Sequence, residues 1–303
     1  MHRADISGFG VTLRSHSVTG MDILSRRTTL RLVGMPTLAL LAASAMTAVT
    51  LGTAAGGEPP AGANAGPPYH FVTELMGEPG TAEPLKNQAV IDKSRHGYQF
   101  RSGQQNGHLV VAPVSGGIRF ADRNTEAWKK LAPACNRQKV AVGVAAVCKV
   151  PGGVTKSSPL LVEIWPRLGN DFTDASALPA TVAATVLGDR GKDTAYFGAG
   201  DDFFNGFTGN DVVRGGAGND WIRSGVDSDR VNGGPGNDDV VAKEGHDTVG
   251  GGPGNDRLWG GDGDDALRGE DGDDYLLCGN GRDSAILDSG ERRFPNCESV
   301  SYR

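Results

Sequence analysis

Along the last third of the chain one apolar residue recurs every nine positions, separated by stretches that are mostly polar or glycine. From Gly188 an uninterrupted frame runs GDRGKDTAY, FGAGDDFFN, GFTGNDVVR, GGAGNDWIR, SGVDSDRVN, GGPGNDDVV, AKEGHDTVG, GGPGNDRLW, GGDGDDALR, GEDGDDYLL and CGNGRDSAI. The eighth position is apolar in every unit, the sixth is always Asp, and the fourth is Gly except at Asp227. A fixed nine-residue period with a single apolar column marks a repeat architecture. Six glycine-rich residues predict a turn, because glycine enters positive φ cheaply. The remaining three predict a minimal strand with one inward side chain. Two units then complete a coil, and turns 18 residues apart stack on the same edge at strand spacing.

Before the frame the pattern changes to short alternating runs. Gly97–Arg101, His108–Val111, Ile118–Phe120, Val147–Val150 and Leu160–Trp165 predict strands, with a helical turn near Thr125–Leu131. A stack of coils needs its first coil covered. Residues 66–187 are therefore expected to form a small β-rich capping domain, ending in Leu168-Gly169-Asn170-Asp171. Residues 188–286 hold the repeats, and 287–303 form a C-terminal cap around Phe294-Pro295-Asn296-Cys297-Glu298.

Residues 1–65 read as a leader, with Met21 as the expected start. Arg26 and Arg27 precede an apolar stretch from Leu32 to Val49 and then small residues, the plan of a signal peptide. The arginine pair resembles a twin-arginine signal, although Thr29 stands where an aromatic is usual, and an ordinary secretory signal is the alternative. Gly56–Pro68 is a Gly/Pro/Ala linker.

Composition sharpens this division. Of 46 glycines, 25 fall within residues 188–286, and none recurs every third residue as collagen requires. The net charge of −6 conceals +2 in residues 1–65, +4 in 66–187, −12 in 188–286 and 0 in 287–303. So acidic a segment excludes duplex nucleic acid as its partner. The four cysteines allow three pairings. Local pairs, Cys135–Cys148 and Cys278–Cys297, are favoured for an exported chain. Free thiols remain the alternative, whereas a metal–thiolate site lacks CxxC spacing.

The sixth-position carboxylates carry the chemistry. Stacked about 4.8 Å apart, each neighbouring pair would repel by roughly 3.5 kcal/mol at an effective dielectric of 20. One apolar residue per unit does not offset that repulsion and the ordering of glycine-rich turns, so cations are required. Carboxylate and carbonyl oxygens suit Ca²⁺ better than Mg²⁺ or soft metals. The units resemble the G-G-x-G-x-D-x-U-x repeats of secreted RTX (haemolysin-type) calcium-binding proteins. That resemblance implies a right-handed parallel β-roll, an all-β fold, holding several Ca²⁺ ions between successive turns on each edge.

Sorting units by parity separates the edges. Even units keep Gly at the fourth position and Asp or Asn at the fifth, so Asp202, Asp220, Asp238, Asp256 and Asp274 are expected to anchor the stronger column. Asp193, Asp211, Asp229, Asp247, Asp265 and Asp283 line a weaker one, where Lys or Arg heads are expected to replace some cations. Neither HExxH nor GxSxG occurs, and His70, His96 and His108 are dispersed. Glu163 reads as an edge-strand residue, and Trp221 and Trp259 as exposed packing. The expectation is a secreted, monomeric, non-enzymatic calcium binder. The alternatives are an adhesion protein using the roll as a spacer about 26 Å long, and an enzyme with its site in residues 69–187.

Overall fold

The computed structural model describes residues 85–103, 106–288, 292–293 and 296–302. The leader with its signal, the linker, His70 and residues 66–84 of the capping region lie outside these residues. All described elements are strands. The capping region supplies β1 (Gln88–Lys93), β2 (Gly97–Arg101), β3 (His108–Val114), β4 (Gly117–Asp122), β5 (Ala127–Leu131), β6 (Cys135–Gln138), β7 (Val144–Cys148), β8 (Leu160–Trp165) and β9 (Phe172–Asp174). Then follow β10 (Val182–Arg190), β11 (Thr194–Tyr196), β12 (Phe203–Thr208), β13 (Val212–Arg214), β14 (Trp221–Val226), β15 (Arg230–Asn232), β16 (Asp239–Glu244) and β17 (Thr248–Gly250). The stack continues through β18 (Arg257–Asp262), β19 (Ala266–Arg268), β20 (Tyr275–Asn280), β21 (Ser284–Leu287), β22 (Arg292–Arg293) and β23 (Ser299–Tyr302).

These strands form two facing sheets. The first runs β22-β20-β18-β16-β14-β12-β10-β8-β2-β1-β5, and the second β23-β21-β19-β17-β15-β13-β11-β9-β3-β4-β7-β6. Within the repeats every pairing is parallel with an offset of 18 residues, as in Phe204↔Ile222 and Val213↔Val231. The protein is a parallel β-solenoid, as expected. Its parallel stacking begins earlier than the nine-residue frame, at β2 with β8 and β3 with β9. β10 runs through residue 187, so both sheets pass from the capping region into the repeats without a break.

The eighth-position residues fill the space between the sheets, and all eleven are 0–4% exposed. Burial of such side chains contributes about 1.5–3 kcal/mol for each large one. In the capping region Phe100 stacks on Phe120 at 6.1 Å and meets Trp128 edge-on, extending the same core. The antiparallel strands β4, β7 and β6 close the second sheet, with Cys135 directly opposite Cys148 and bonded to it. Cys278 and Cys297 form the second disulfide, tying β20 to the segment before β23.

Several expectations are corrected. Residues 127–131 form a strand paired with β1 instead of a helical turn, because β1 offers a free ladder edge. The strand expected over Val147–Val150 lies at Val144–Cys148. Glu163 lies inside the first sheet, flanked by β2 and β10, and Gln99 Nε2 donates to its carboxylate at 3.1 Å. Within the repeats the strands of the first sheet also exceed three residues. They run through the first three positions of the following odd unit, as β16 does from Asp239 to Glu244. Trp221 and Trp259 are buried, at 4% and 6%. Trp221 packs on Phe203 at 4.9 Å beneath the Arg223 guanidinium, and Trp259 joins Val241 and Leu277 in a second cluster. Stacking by 18 residues sets these outward side chains beside one another, which a single unit does not reveal.

Candidate metal centre

The eleven sixth-position aspartates form two rows, one on each edge, and each is 1–3% exposed. The two rows share one hydrogen-bond pattern. Each carboxylate reaches back one coil, and its Oδ1 accepts from the backbone N–H of the preceding aspartate, or at Asp202 from Ala184 N–H at 2.6 Å. On the even edge Asp202 N–H donates to Asp220, Asp220 to Asp238 and Asp238 to Asp256, each at 2.8 Å, and Asp256 to Asp274 at 2.7 Å. On the odd edge the chain Asp193, Asp211, Asp229, Asp247 and Asp265 is linked at 2.8 Å, then Asp265 N–H donates to Asp283 at 2.9 Å.

The second carboxylate oxygen is left over. Oδ2 of Asp193, Asp211, Asp220, Asp229, Asp238, Asp247, Asp256, Asp265 and Asp283 is buried with no hydrogen-bond partner among the described residues. Asp202 differs, because Gly198 N–H donates to its Oδ2 at 3.2 Å. An unsatisfied buried oxygen costs about 1–3 kcal/mol, more if charged. Burial pushes the carboxyls upward: Asp193, Asp229 and Asp247 to about 6, Asp265 to about 7, and Asp211, Asp238 and Asp256 to about 8. Asp202 and Asp220 are also driven well above the usual carboxylate range, mainly by burial. Neighbouring carboxylates of the row add to the rise at Asp220, Asp238 and Asp256, while the backbone N–H donors oppose it.

The turns bring bare backbone up to these oxygens. A Cβ added at Gly233 would lie 2.2 Å from Asp238 Oδ2. At Gly236, where φ is +151°, it would lie 1.6 Å from the carbonyl oxygen of Gly218 in the previous coil. Glycine at Gly236 thus suits both the backbone conformation and the close stacking, while Asp227 (φ +83°) takes the same conformation at its own fourth position. No three His, Cys, Asp or Glu side chains converge among the described residues. A cation held at the rows would therefore take its further ligands from turn carbonyls. An all-oxygen set of orphaned carboxylates and carbonyls on a pliable turn fits Ca²⁺.

Two features of the rows are not evident in the nine-residue frame. The fifth-position side chains form a second ladder that reaches forward: Asn219 Oδ1 accepts from Asn237 N–H at 2.9 Å, and Asn237 Oδ1 from Asn255 N–H at 2.8 Å. On the odd edge Ser228, His246 and Asp264 play this part, with His246 Nδ1 accepting from Asp264 N–H at 2.8 Å. The odd row also continues past its last repeat, where Asp283 N–H donates to Glu298 Oε2 at 2.7 Å. The position of Glu298 immediately before β23, as each Asp precedes its strand, was the available signal.

The odd-edge cations do not act as expected. Arg282 pairs with the fifth-position Asp264 at 2.6 Å. Lys243 lies in the field of Arg223 and Glu244, and burial lowers its amine pKa. Among the described residues no ion pair reaches the odd-edge aspartates Asp193, Asp211, Asp229, Asp247, Asp265 or Asp283.

The family model for the RTX calcium-binding nonapeptide repeat (4 copies) matches residues 185–204, 205–240, 215–249, 241–276 and 250–285. A search of curated proteins finds no match for the chain. The aspartate rows, the left-handed glycines and this match coincide in one stretch, so residues 185–285 are an array of RTX calcium-binding nonapeptide repeats folded as a parallel β-roll.

Proposed function

We propose that the protein is an exported, non-enzymatic calcium binder whose repeats complete their fold on Ca²⁺. The observation that carries this reading is the file of buried, unpartnered Oδ2 atoms on both edges. When bound, calcium supplies the positive charge that the rows lack. The protein's own part is to hold each carboxylate by its Oδ1, to keep Oδ2 away from water, and to bring turn carbonyls close by omitting side chains. Two disulfides support export, since such bonds persist in oxidising compartments. Extracellular calcium modules bind at about 10⁻⁴–10⁻³ M, so the acidic rows would remain unfilled in a calcium-poor cytoplasm.

The even edge is the stronger column in this reading. Its fifth positions are Asp201, Asn219, Asn237, Asn255 and Asp273, with no cationic residue at any of them. Circular dichroism of residues 66–303, titrated separately with Ca²⁺ and Mg²⁺, tests the proposal. The β signal should grow with Ca²⁺ at concentrations where Mg²⁺ has little effect. A full β signal in chelator would refute coupling between binding and folding.

A further inference from the structure

The odd row does not begin at the first repeat. Asp171 N–H donates to Asp193 Oδ1 at 2.8 Å, the same link that joins every later pair. Phe172, Thr173 and Asp174 pair with Thr194, Ala195 and Tyr196, which places Asp171 at a sixth position and Thr173, 2% exposed, at an eighth. Arg167 (φ +74°) and Gly169 (φ +135°) take the left-handed conformations that positions two and four adopt elsewhere. A Cβ at Gly191 would lie 1.8 Å from the Gly169 carbonyl oxygen, so the two turns stack as closely as the repeats do. The fifth-position ladder continues as well, with Lys192 N–H donating to Asn170 Oδ1 at 2.9 Å.

Residues 166–174, PRLGNDFTD, are thus a repeat in three dimensions that the family match, starting at residue 185, does not include. Its aspartate precedes the next by 22 residues instead of 18. The surplus lies between Asp174 and Thr185, in the linker and the longer start of β10 on the opposite edge, and leaves the odd edge in register.

Asp171 is 3% exposed, its Oδ1 accepts from Gly107 N–H, and its Oδ2 is buried without a hydrogen-bond partner. No ion pair reaches Asp193 among the described residues, although Arg190 and Lys192 belong to its turn. We infer that Asp171 is a further calcium ligand, extending the odd column by one site into the capping region. The donors are its carboxylate and the carbonyls of the 166–171 turn stacked on the 188–193 turn. The inference rests on the calcium reading proposed above.

Asp171→Asn in the full chain removes the charge and keeps an acceptor for Gly107 N–H. Ions bound per chain at saturating Ca²⁺, counted by native mass spectrometry, should fall by one relative to the unaltered chain. Asp229→Asn, inside the family match, should also lower the count. Loss in Asp229→Asn with a full count in Asp171→Asn overturns the extension and leaves the proposed function standing. A full count in both overturns the calcium reading itself. Should Asp171→Asn fail to fold, crystals of the unaltered chain grown in CaCl₂ decide the matter. An anomalous difference peak beside Asp171 Oδ2 supports the site, and its absence where Asp229 shows one overturns it.

Discussion

The even and odd edges share a backbone and differ in side chains. On both, positions two and four take positive φ, as at Gly234 and Gly236 on one edge and Gly261 and Gly263 on the other. Both also carry the same backward-reaching carboxylate ladder. At the first position the even edge has Gly215, Gly233, Gly251 and Gly269 after Phe197, while the odd edge admits Ser224, Ala242 and Cys278. At the second, Asp189, Phe207 and Lys243 on the odd edge, and Glu270 on the even edge, hold a conformation that glycine adopts freely. The comparison separates two demands. Gly at four and Asp at six build the stack, whereas positions one, two and five are where the two edges differ.

Four outcomes would break or sharpen that comparison. The largest effect is expected from Gly236→Ala and Gly263→Ala, whose new Cβ atoms would meet backbone oxygens at 1.6 and 1.5 Å. Each should cost about 3–4 kcal/mol in calcium-saturated thermal unfolding. A difference between them well beyond 1 kcal/mol would disprove a common backbone. Next, isothermal titration of Asp220→Ala/Asp238→Ala against Asp229→Ala/Asp247→Ala should show the even pair losing about tenfold more calcium affinity, ~1.4 kcal/mol. Equal losses would remove the asymmetry.

The third concerns pH. A carboxyl whose folded pKa exceeds its unfolded value, about 3.9, is stabilising below that value. The contribution disappears as pH rises through the folded pKa. In chelator the Tm should therefore fall as pH rises from about 4 to 9, with Asp229 and Asp247, at about 6, giving way before Asp238 and Asp256, at about 8. Calcium affinity should rise over the same window, because ligation needs the ionised form. A chelated Tm that climbs with pH would contradict burial as the dominant effect. The smallest effect is Lys243→Gly, which relieves a left-handed lysine (φ +87°) and should raise stability by about 0.5–1 kcal/mol in thermal unfolding.

The repeat frame and its ligand chemistry were legible because each nonapeptide states its own turn, inward residue and carboxylate. What lay outside that reading depends on pairing across the stack. Asp171 was hidden by a four-residue excess on the far edge, and Glu298 by a change of side chain. Trp221 and Trp259 look exposed in a single unit and become buried once neighbouring coils align them with Phe203, Val241 and Leu277. The strand at residues 127–131 arises from pairing with β1, about forty residues earlier, and no local period announces it.

Because every carboxylate caps the amide of the coil before it, the stack is directional, like a bar magnet with unlike poles. A roll cut after Cys278 would present carbonyl-rich turns and uncapped amides at one face, and a roll cut before Gly188 would offer free carboxylates at the other. Two such fragments are complementary head to tail, and that kind of contact builds open filaments instead of closed dimers. The Asp171 turn with the antiparallel strands above it, and Glu298 held by the Cys278–Cys297 bond, occupy those two poles. Removing either pole should therefore drive head-to-tail association, read as a rise in mass by size-exclusion chromatography.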